Sequence, residues 1–187
     1  ALADINTRVT AETPRVVAWR RDIHAHPELG NRETRTAALV AAHLRRLGMD
    51  VRTNVALTGV IGVLHGGRPG PVVALRSELD ALPVHEATGL PFASTAQTTY
   101  NGQPTYVAHA CGHDLHIAML MGAAEVLAGM RAQIPGTIVF IFQPAEEPIS
   151  GAARMVAEGV MDGVDAIFAL HTWPALPVGS IGLRAGT

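Results

Sequence analysis

Three strongly apolar segments of the chain each run directly into polar side chains. "VVALRS" leads to Glu78 and Asp80, "TIVFIFQPA" leads to Glu146 and Glu147, and "AIFAL" leads to His171. Continuous apolar runs of this length are typical of strands buried on both faces, and helical patterns alternate with them. The sequence therefore predicts an α/β fold: a layered α/β/α sheet, at least partly parallel, with a ligand site outside the carboxyl ends of its strands.

Helices are predicted where apolar residues recur at helical spacing. The first is expected to begin at Thr13-Pro14, because Pro favours the first helical position, and to end at "HAHPELG". Residues 84–108 show no clear period, and their glycines and prolines predict an exposed loop. The remaining predicted helices cover 33–48, 114–131 and 152–158.

Composition narrows the classes of function. The net charge is −2 with both signs interspersed, and no basic stripe marks a nucleic acid or an anionic membrane as a partner. All 14 basic residues are Arg, which excludes lysine Schiff-base chemistry and a phosphate-loop lysine. The longest apolar run is interrupted by Glu125 and is too short to span a bilayer. No secretory signal is visible, so a cytoplasmic location is the default expectation.

The only cysteine stands in "HACGHD", residues 109–114. In an extended loop His109, Cys111 and His113 would point the same way. A thiolate beside an imidazole suits zinc or another late transition ion. A buried inert thiol and a nucleophilic thiol are the alternatives, since a single Cys excludes an internal disulfide. The flanking histidines favour the metal.

The stretch "FQPAEEP", residues 142–148, places Glu146 beside Glu147 after an apolar strand. Neighbours in extended backbone face opposite sides, so one carboxylate could bind a metal while the other faces water bound to that metal. A metal brings the pKa of such water to about 7, and a nearby carboxylate can then accept the proton as general base. A solvated acidic loop is the alternative interpretation.

Other candidates carry weaker signals. His171 follows the last strand, although a lone His at a strand end is often structural. Asp80 could orient a ligating imidazole or cap a turn, and His116 lies one helical turn after His113. The other histidines are expected to pack or lie at the surface: His24 and His26 near the site, and His43, His65 and His85 at the surface.

Five stretches together resemble a known family. "HAHPELG", "ALRSELDALP", "HACGHDLH", "FQPAEE" and "DAIFALHTWP" resemble, in that order, the signature series of the N-acyl-amino-acid amidohydrolases, which include hippurate hydrolases and plant auxin-conjugate hydrolases. This branch belongs to a superfamily of dinuclear metallohydrolases that also holds aminoacylase and several carboxypeptidases. The resemblance implies an exopeptidase-like catalytic domain with two divalent ions (zinc, manganese or a similar late transition ion) that cleaves the amide of an N-acyl amino acid.

By position, the resemblance implies metal ligands at Cys111, His113, Glu147 and His171, and a general base at Glu146. Asp80, His116 and His109 are then expected near the ligands or the substrate. Four residues depart from the family pattern. Glu78 stands where the branch typically has Asp and is not assigned as a ligand. Leu115 and Pro148 stand where Gly is usual, and Ala108 stands where Met is common, so the resemblance does not define the shape of the substrate pocket.

In the resembled family a lid or dimerisation domain interrupts the catalytic domain, which then resumes to supply one more His ligand. Residues 1–187 are therefore interpreted as the N-terminal portion of the catalytic domain of a longer protein, for which a homodimer or larger oligomer is one option. A carboxypeptidase or dipeptidase of the same superfamily and a non-catalytic metal-binding fragment remain alternatives. A cysteine hydrolase is disfavoured because it would leave the glutamate pair without a task.

Overall fold

A five-stranded mixed sheet forms the centre of the structure, a computed structural model that describes residues 2–148 and 151–183. The strands are β1 (Asp50–Val55), β2 (Gly59–His65), β3 (Arg68–Glu78), β4 (Gln97–Tyr100), β5 (Gln103–Tyr106), β6 (Pro135–Gln143) and β7 (Ala166–Ala169). The sheet order is β1-β2-β6-β3-β7. Strands β6 and β7 lie on either side of β3 and run parallel to it, whereas β2 is antiparallel to β6 and β1 to β2.

Helices cover both faces of this sheet, which confirms the predicted layered α/β/α architecture. The helices are α1 (Leu2–Ala25), α2 (Thr34–Arg46), α3 (His113–Ala128) and α4 (Gly151–Ala157), with a 3₁₀ turn at Arg131–Gln133. The apolar residues of β6 pack on both faces of the sheet, because alternate residues point to opposite sides. Phe140 and Phe142 pack under α1–α3, and Val139 and Ile141 pack against Met155 of α4. None of the helices in the described parts of the chain is long and apolar enough to cross a membrane.

The first helix is longer than the sequence predicts. It begins at Leu2 rather than at Thr13-Pro14, and Pro14 lies in its interior. Pro removes one helical N–H, but this stretch of α1 is largely exposed, so water can satisfy the freed carbonyl. An Asp4–Arg8 ion pair at helical spacing supports the part before Pro14.

Residues 84–108 are not entirely a loop. They contain the antiparallel hairpin of β4 and β5, whose pairs run from Gln97 with Tyr106 to Tyr100 with Gln103. The connecting residues Asn101 and Gly102 both have positive φ, 50° and 77°. An Asn-Gly pair in this conformation is the preferred two-residue hairpin turn, so the correct signal was present in the sequence.

His43 is buried between helices, and its predicted surface position is wrong. Its Nε2–H donates to the carbonyl of Met121 at 3.0 Å, and its Nδ1 accepts from Arg46 at 3.1 Å. Two histidines are exposed as predicted, His65 and His85. His24 is a buried packing residue, and its two ring nitrogens contact Asp114 and Glu86.

Candidate metal centre

The carboxyl ends of three parallel strands and the start of α3 meet at one edge of the sheet. Asp80 lies beyond β3, Glu146 and Glu147 beyond β6, and His171 beyond β7. His113 is the first residue of α3, and its Nδ1 lies 2.8 Å from the carbonyl oxygen of Asp80. The convergence predicted from the three polar strand ends is therefore present.

Three groups of side chains that could ligate a metal share His113, and two of them consist of the predicted site residues. Cys111, His113 and His171 each offer a ligating atom within 4.8 Å of the others, and the Cys111 Sγ lies 3.6 Å from the His171 Nε2. Glu146 and Glu147 complete the second group, each with a carboxylate oxygen 3.9 Å from the His113 Nε2. The five residues that the resemblance implies as metal ligands and general base are thus neighbours.

His113 presents a free nitrogen to this cluster. Because a carbonyl oxygen only accepts, the Nδ1 atom must carry the proton that it shares with Asp80 O, and the Nε2 lone pair is left free. This Nε2 is buried without a hydrogen-bond partner, and so is Oε1 of Glu147. A backbone-oriented imidazole with its other nitrogen free is the usual arrangement of a metal-ligating His. The two unpartnered atoms fit a bound cation.

The charges around His113 also favour a cation. Burial lowers the pKa of His113, but hydrogen bonding to Asp80 and the charges of Glu78 and Asp80 outweigh it, so that pKa is raised. The pKa of the Cys111 thiol is raised to about 12, first by burial and then by the adjacent carboxylate of Glu147 and the other nearby carboxylates. A thiol in this field is a poor nucleophile by itself, but a metal ion would stabilise its thiolate.

The backbone at Glu146 and Glu147 forms a tight turn, and the predicted extended conformation is wrong. Ala145 has a φ of +46°, and both carboxylates reach the same imidazole nitrogen instead of facing opposite sides. The two differ in exposure: the Glu146 side chain is 37% exposed and that of Glu147 is 23% exposed. Glu147 is thus the inner carboxylate and Glu146 the outer one.

Asp80 lies next to His113, and its side chain also holds the turn that carries Glu146 and Glu147. Its two carboxylate oxygens accept the backbone N–H groups of Glu146 and Glu147, both at 3.0 Å. Burial raises the pKa of Asp80, but hydrogen bonds from His113 and from these N–H groups outweigh it, so that pKa is lowered. Asp80 therefore stays ionised and ties the end of β6 to the start of α3.

His116 lies at the site, but both of its nitrogens are engaged. Its Nδ1 lies 2.8 Å from Oε2 of Glu78, and its Nε2 accepts the N–H of Thr172 at 2.9 Å. Glu78 is fully buried and also forms an ion pair with Arg76. Glu78, His113 and His116 are close enough together to hold an ion, but these hydrogen bonds give Glu78 and His116 a positioning role.

His109 does not join the cluster, so the expectation that it points with Cys111 and His113 is wrong. The backbone turns at His109, where the N–H of Ala110 donates to the carbonyl of Ala108 at 3.0 Å, and it bends again at Gly112, whose φ is +92°. The alternation of an extended loop is therefore lost before α3 begins. A Cβ at Gly112 would lie 2.6 Å from the Thr172 Oγ1, so glycine is required there. His109 is buried with both ring nitrogens unpartnered, and burial lowers its pKa to about 4.

Sequence reasoning missed two residues that support the cluster. Thr172 donates its hydroxyl to the carbonyl of Cys111 at 2.8 Å and so joins the loop after β7 to the cysteine loop. Glu33 accepts the N–H of Ala145 at 2.8 Å, directly before the glutamate pair. Thr172 lies within a stretch quoted for the resemblance, but nothing in that stretch marks its hydroxyl as a contact to the cysteine loop. Glu33 resembles an ordinary acidic residue at a helix start.

The fold and the cluster define an α/β protein with a candidate centre for a late transition metal, made of thiol, imidazole and carboxylate donors at the edge of a parallel sheet. Residues 74–186 match peptidase family M20/M25/M40, and the chain belongs to this family. The predicted resemblance to its amidohydrolase branch is confirmed.

Known relatives are similar over nearly the whole chain. N-acetylcysteine deacetylase of Bacillus subtilis is 44% identical over 173 residues, 92% of this chain and 43% of the relative. Thermostable carboxypeptidase 1 of Saccharolobus solfataricus is 45% identical over 174 residues, 91% of this chain and 42% of the relative. The crystal structure of a dinuclear metal-binding peptidase of the M20 family from Bacillus subtilis superposes with a TM-score of 0.84 at 43% identity, over 94% of this chain and 47% of that one. The chain thus spans less than half the length of these relatives.

Proposed function

We propose that the full-length protein is a metal-dependent amidohydrolase that cleaves the amide bond of an N-acyl amino acid. One observation carries the proposal: the thiol of Cys111, the imidazoles of His113 and His171 and the carboxylates of Glu146 and Glu147 meet at one sheet edge. The deacetylase relative supports the choice of an N-acyl amino acid as substrate.

Four side chains would hold the metal ions. Cys111, His113, Glu147 and His171 offer the donor types that zinc and similar ions prefer, and the buried unpartnered atoms of His113 and Glu147 fit such an ion. When bound, divalent ions supply Lewis acidity, which polarises the scissile carbonyl and acidifies water. We propose two ions per complete site, as in the dinuclear relative, from the zinc and manganese class.

Glu146 would move the proton. Its carboxylate lies beside the cluster and is the more exposed of the pair, so it can meet water that enters from solvent. It would accept a proton from the attacking water at a carboxylate oxygen and then deliver it to the nitrogen of the leaving amine. Such general acid–base catalysis contributes about 10²–10⁴-fold to the rate.

A mostly apolar cavity beside Glu147 supports an acyl-group substrate. Its volume is about 210 Å³, and Gly30 and Arg32 also line it. At the usual packing density of proteins, ~0.74, a space of this size suits an acyl group as large as an aromatic ring. Its apolar lining residues are Leu29, Ala81, Leu82, Pro83, Tyr100 and Pro148.

We further propose that residues 1–187 are the N-terminal portion of a catalytic domain that takes at least one more ligand from elsewhere in the full-length protein. Each ligand group among the described residues has three members. The exposed apolar side chains of β7 also support further packing there, since Ile167 is 45% and Phe168 62% exposed.

Hydrolysis assays on the full-length protein test the proposal. The panel is N-acetyl and N-benzoyl amino acids beside dipeptides with the same carboxyl-terminal residue, before and after chelation and after return of zinc or manganese. We expect N-acyl amino acids to be cleaved faster, with activity lost on chelation and restored by metal. Faster dipeptide cleavage would favour the carboxypeptidase alternative, which the second relative supports. Hydrolysis that survives exhaustive chelation would favour a cysteine mechanism, and absence of hydrolysis with full metal occupancy would favour a binding fragment.

A further inference from the structure

Glu33 stands at the start of α2 but does not cap it. Residues at this position usually accept an N–H group of their own helix, and the Glu33 side chain makes no such bond. Glu28 takes that role, because its carboxylate accepts the N–H groups of Arg35 and Thr36 at 2.9 and 2.8 Å. Glu33 is therefore free to point into the core, where it is fully buried.

Two donors from other segments meet the buried carboxylate of Glu33. Its Oε1 accepts the N–H of Ala145 at 2.8 Å, and its Oε2 accepts the hydroxyl of Thr58 at 2.5 Å. A buried carboxylate is costly unless it is hydrogen-bonded, so both contacts are needed. The contact with Ala145 ties the start of α2 to the turn that carries the glutamate pair.

The turn itself is strained and held on both sides. Ala145 has a left-handed φ of +46°, which side-chain-bearing residues adopt only when surrounding contacts impose it. Three consecutive N–H groups of the turn, at 145, 146 and 147, each donate to a carboxylate. Asp80 accepts the last two, and Glu33 accepts the first.

We propose that Glu33 is a positioning residue of the metal centre: it holds Ala145 in its left-handed conformation and so directs Glu146 and Glu147 towards His113. The kinetic part of this inference rests on the proposed amidohydrolase function, whereas its structural part does not. Glu33 acts through the backbone of Ala145 and touches neither metal nor substrate.

Two substitutions separate the hydrogen bond from the volume of the side chain. Glu33→Gln keeps an acceptor for the Ala145 N–H, and its amide can donate to the hydroxyl of Thr58, which rotates to accept. Glu33→Met keeps a similar buried volume but has no acceptor, so the Ala145 N–H is left unsatisfied. Glu28→Gln is the matched control, because it weakens the cap of α2 without touching the turn.

In the full-length protein we expect Glu33→Met to lower kcat about 10–100-fold and to weaken zinc binding by a similar factor, as residues that orient ligands do. KM should change little, and Glu33→Gln should stay within a few-fold of wild type in both measurements. Glu28→Gln should lower the melting temperature and leave kcat and zinc affinity unchanged. The measurements are steady-state kinetics on an N-acyl amino acid and zinc titration of the apo protein.

Wild-type kcat and zinc affinity in Glu33→Met would overturn the proposal, and so would equal impairment of Glu33→Gln and Glu33→Met. Amide hydrogen exchange tests the proposal even if the Glu33→Met variant does not fold. The Ala145 N–H should be protected in wild type and in Glu33→Gln, and fast exchange in wild type would overturn the proposal. If the wild-type protein binds zinc but hydrolyses no N-acyl amino acid, the proposed function fails, while zinc titration and exchange still decide the role of Glu33.

Discussion

The Nε2 atom of His116 accepts the backbone N–H of Thr172 at 2.9 Å, so α3 holds the residue that follows His171. His171 is exposed, and its own Nδ1–H donates to the carbonyl of Thr172 at 2.7 Å, so its Nε2 lone pair faces the Cys111 Sγ at 3.6 Å. The placement of this exposed ligand candidate therefore depends on its neighbour. His116 in turn is oriented by the buried Glu78 of β3.

Substitution of His116 should weaken metal binding although both of its ring nitrogens are already engaged. His116→Phe leaves the Thr172 N–H unpaired and should lower zinc affinity about 10–100-fold in the full-length protein. His116→Gln places an acceptor near the former Nε2 position and should recover part of that loss. Zinc titration of the apo proteins measures both, and a Phe variant with wild-type affinity would show that His171 needs no such support.

Loss of the Cys111 thiol should remove metal and activity together. Cys111→Ala deletes a proposed ligand, so the loss of zinc affinity should exceed the ~10–100-fold typical of residues that only orient ligands. Metal analysis and hydrolysis assays on the same preparation measure the two effects. Met119→Ala is a suitable control, since Met119 lies on α3 with 37% of its surface exposed. Unchanged metal stoichiometry in the Ala variant would return Cys111 to an ordinary packing role.

Substitution of the two neighbouring glutamates should have different effects on metal binding and turnover. Glu146→Gln should keep metal and substrate binding but lose turnover by about 10²–10⁴-fold, because only the proton acceptor is removed. Glu147→Gln should also lose metal, since its buried Oε1 is one of the unpartnered atoms of the cluster. Each variant is the control of the other, and identical metal content in the two would refute this division of roles.

Stability should depend on pH through His43. Burial is the main cause that lowers the pKa of His43 below its ordinary value of 6.5, with the nearby Arg46 and Arg15 acting in the same direction and Met121 and Glu125 against it. The unfolded chain therefore takes up a proton as pH falls through 6.5 while the folded protein does not, and the folded state loses stability in that range.

His43→Gln removes this titration and keeps a donor for the Met121 carbonyl. The difference in unfolding free energy between wild type and this variant should shift in favour of the variant as pH falls below 6.5. Urea unfolding of both full-length proteins between about pH 5 and about pH 8 measures it. A difference that stays constant over this range would mean that His43 has the same pKa in both states.

The convergence of the site could be predicted because it depends on local patterns. Apolar runs that end in Glu78, Glu146 or His171 mark strand ends, and parallel strands bring those ends to one edge. The conformation of the glutamate turn could not be predicted in the same way. Ala145 adopts its left-handed φ against its own preference, and its N–H partner Glu33 is 112 positions away in sequence.

The burial of His43 could not be predicted from its neighbours in sequence, because it depends on packing between helices that are far apart in the chain. Its partner Met121 is 78 positions away. Pro14 was interpreted by its usual place at a helix start, although an exposed helix can contain it. The hairpin at Asn101 and Gly102 differs from these cases. Its turn signal is local and strong. The flanking strands are short and do not alternate clearly between apolar and polar residues, so the sequence pattern does not predict them.

The hydrogen bonds that define the metal cluster join residues far apart in the chain: 112 positions for Glu33 with Ala145, and 56 for His116 with Thr172. Contacts of such separation close late in folding, because the entropy of a long loop must be lost first. An ion would thus find no assembled set of donors on the nascent chain and could not act as a folding nucleus. Metal should therefore leave the rate of folding nearly unchanged and slow the rate of unfolding, because the ion binds only after the domain has folded.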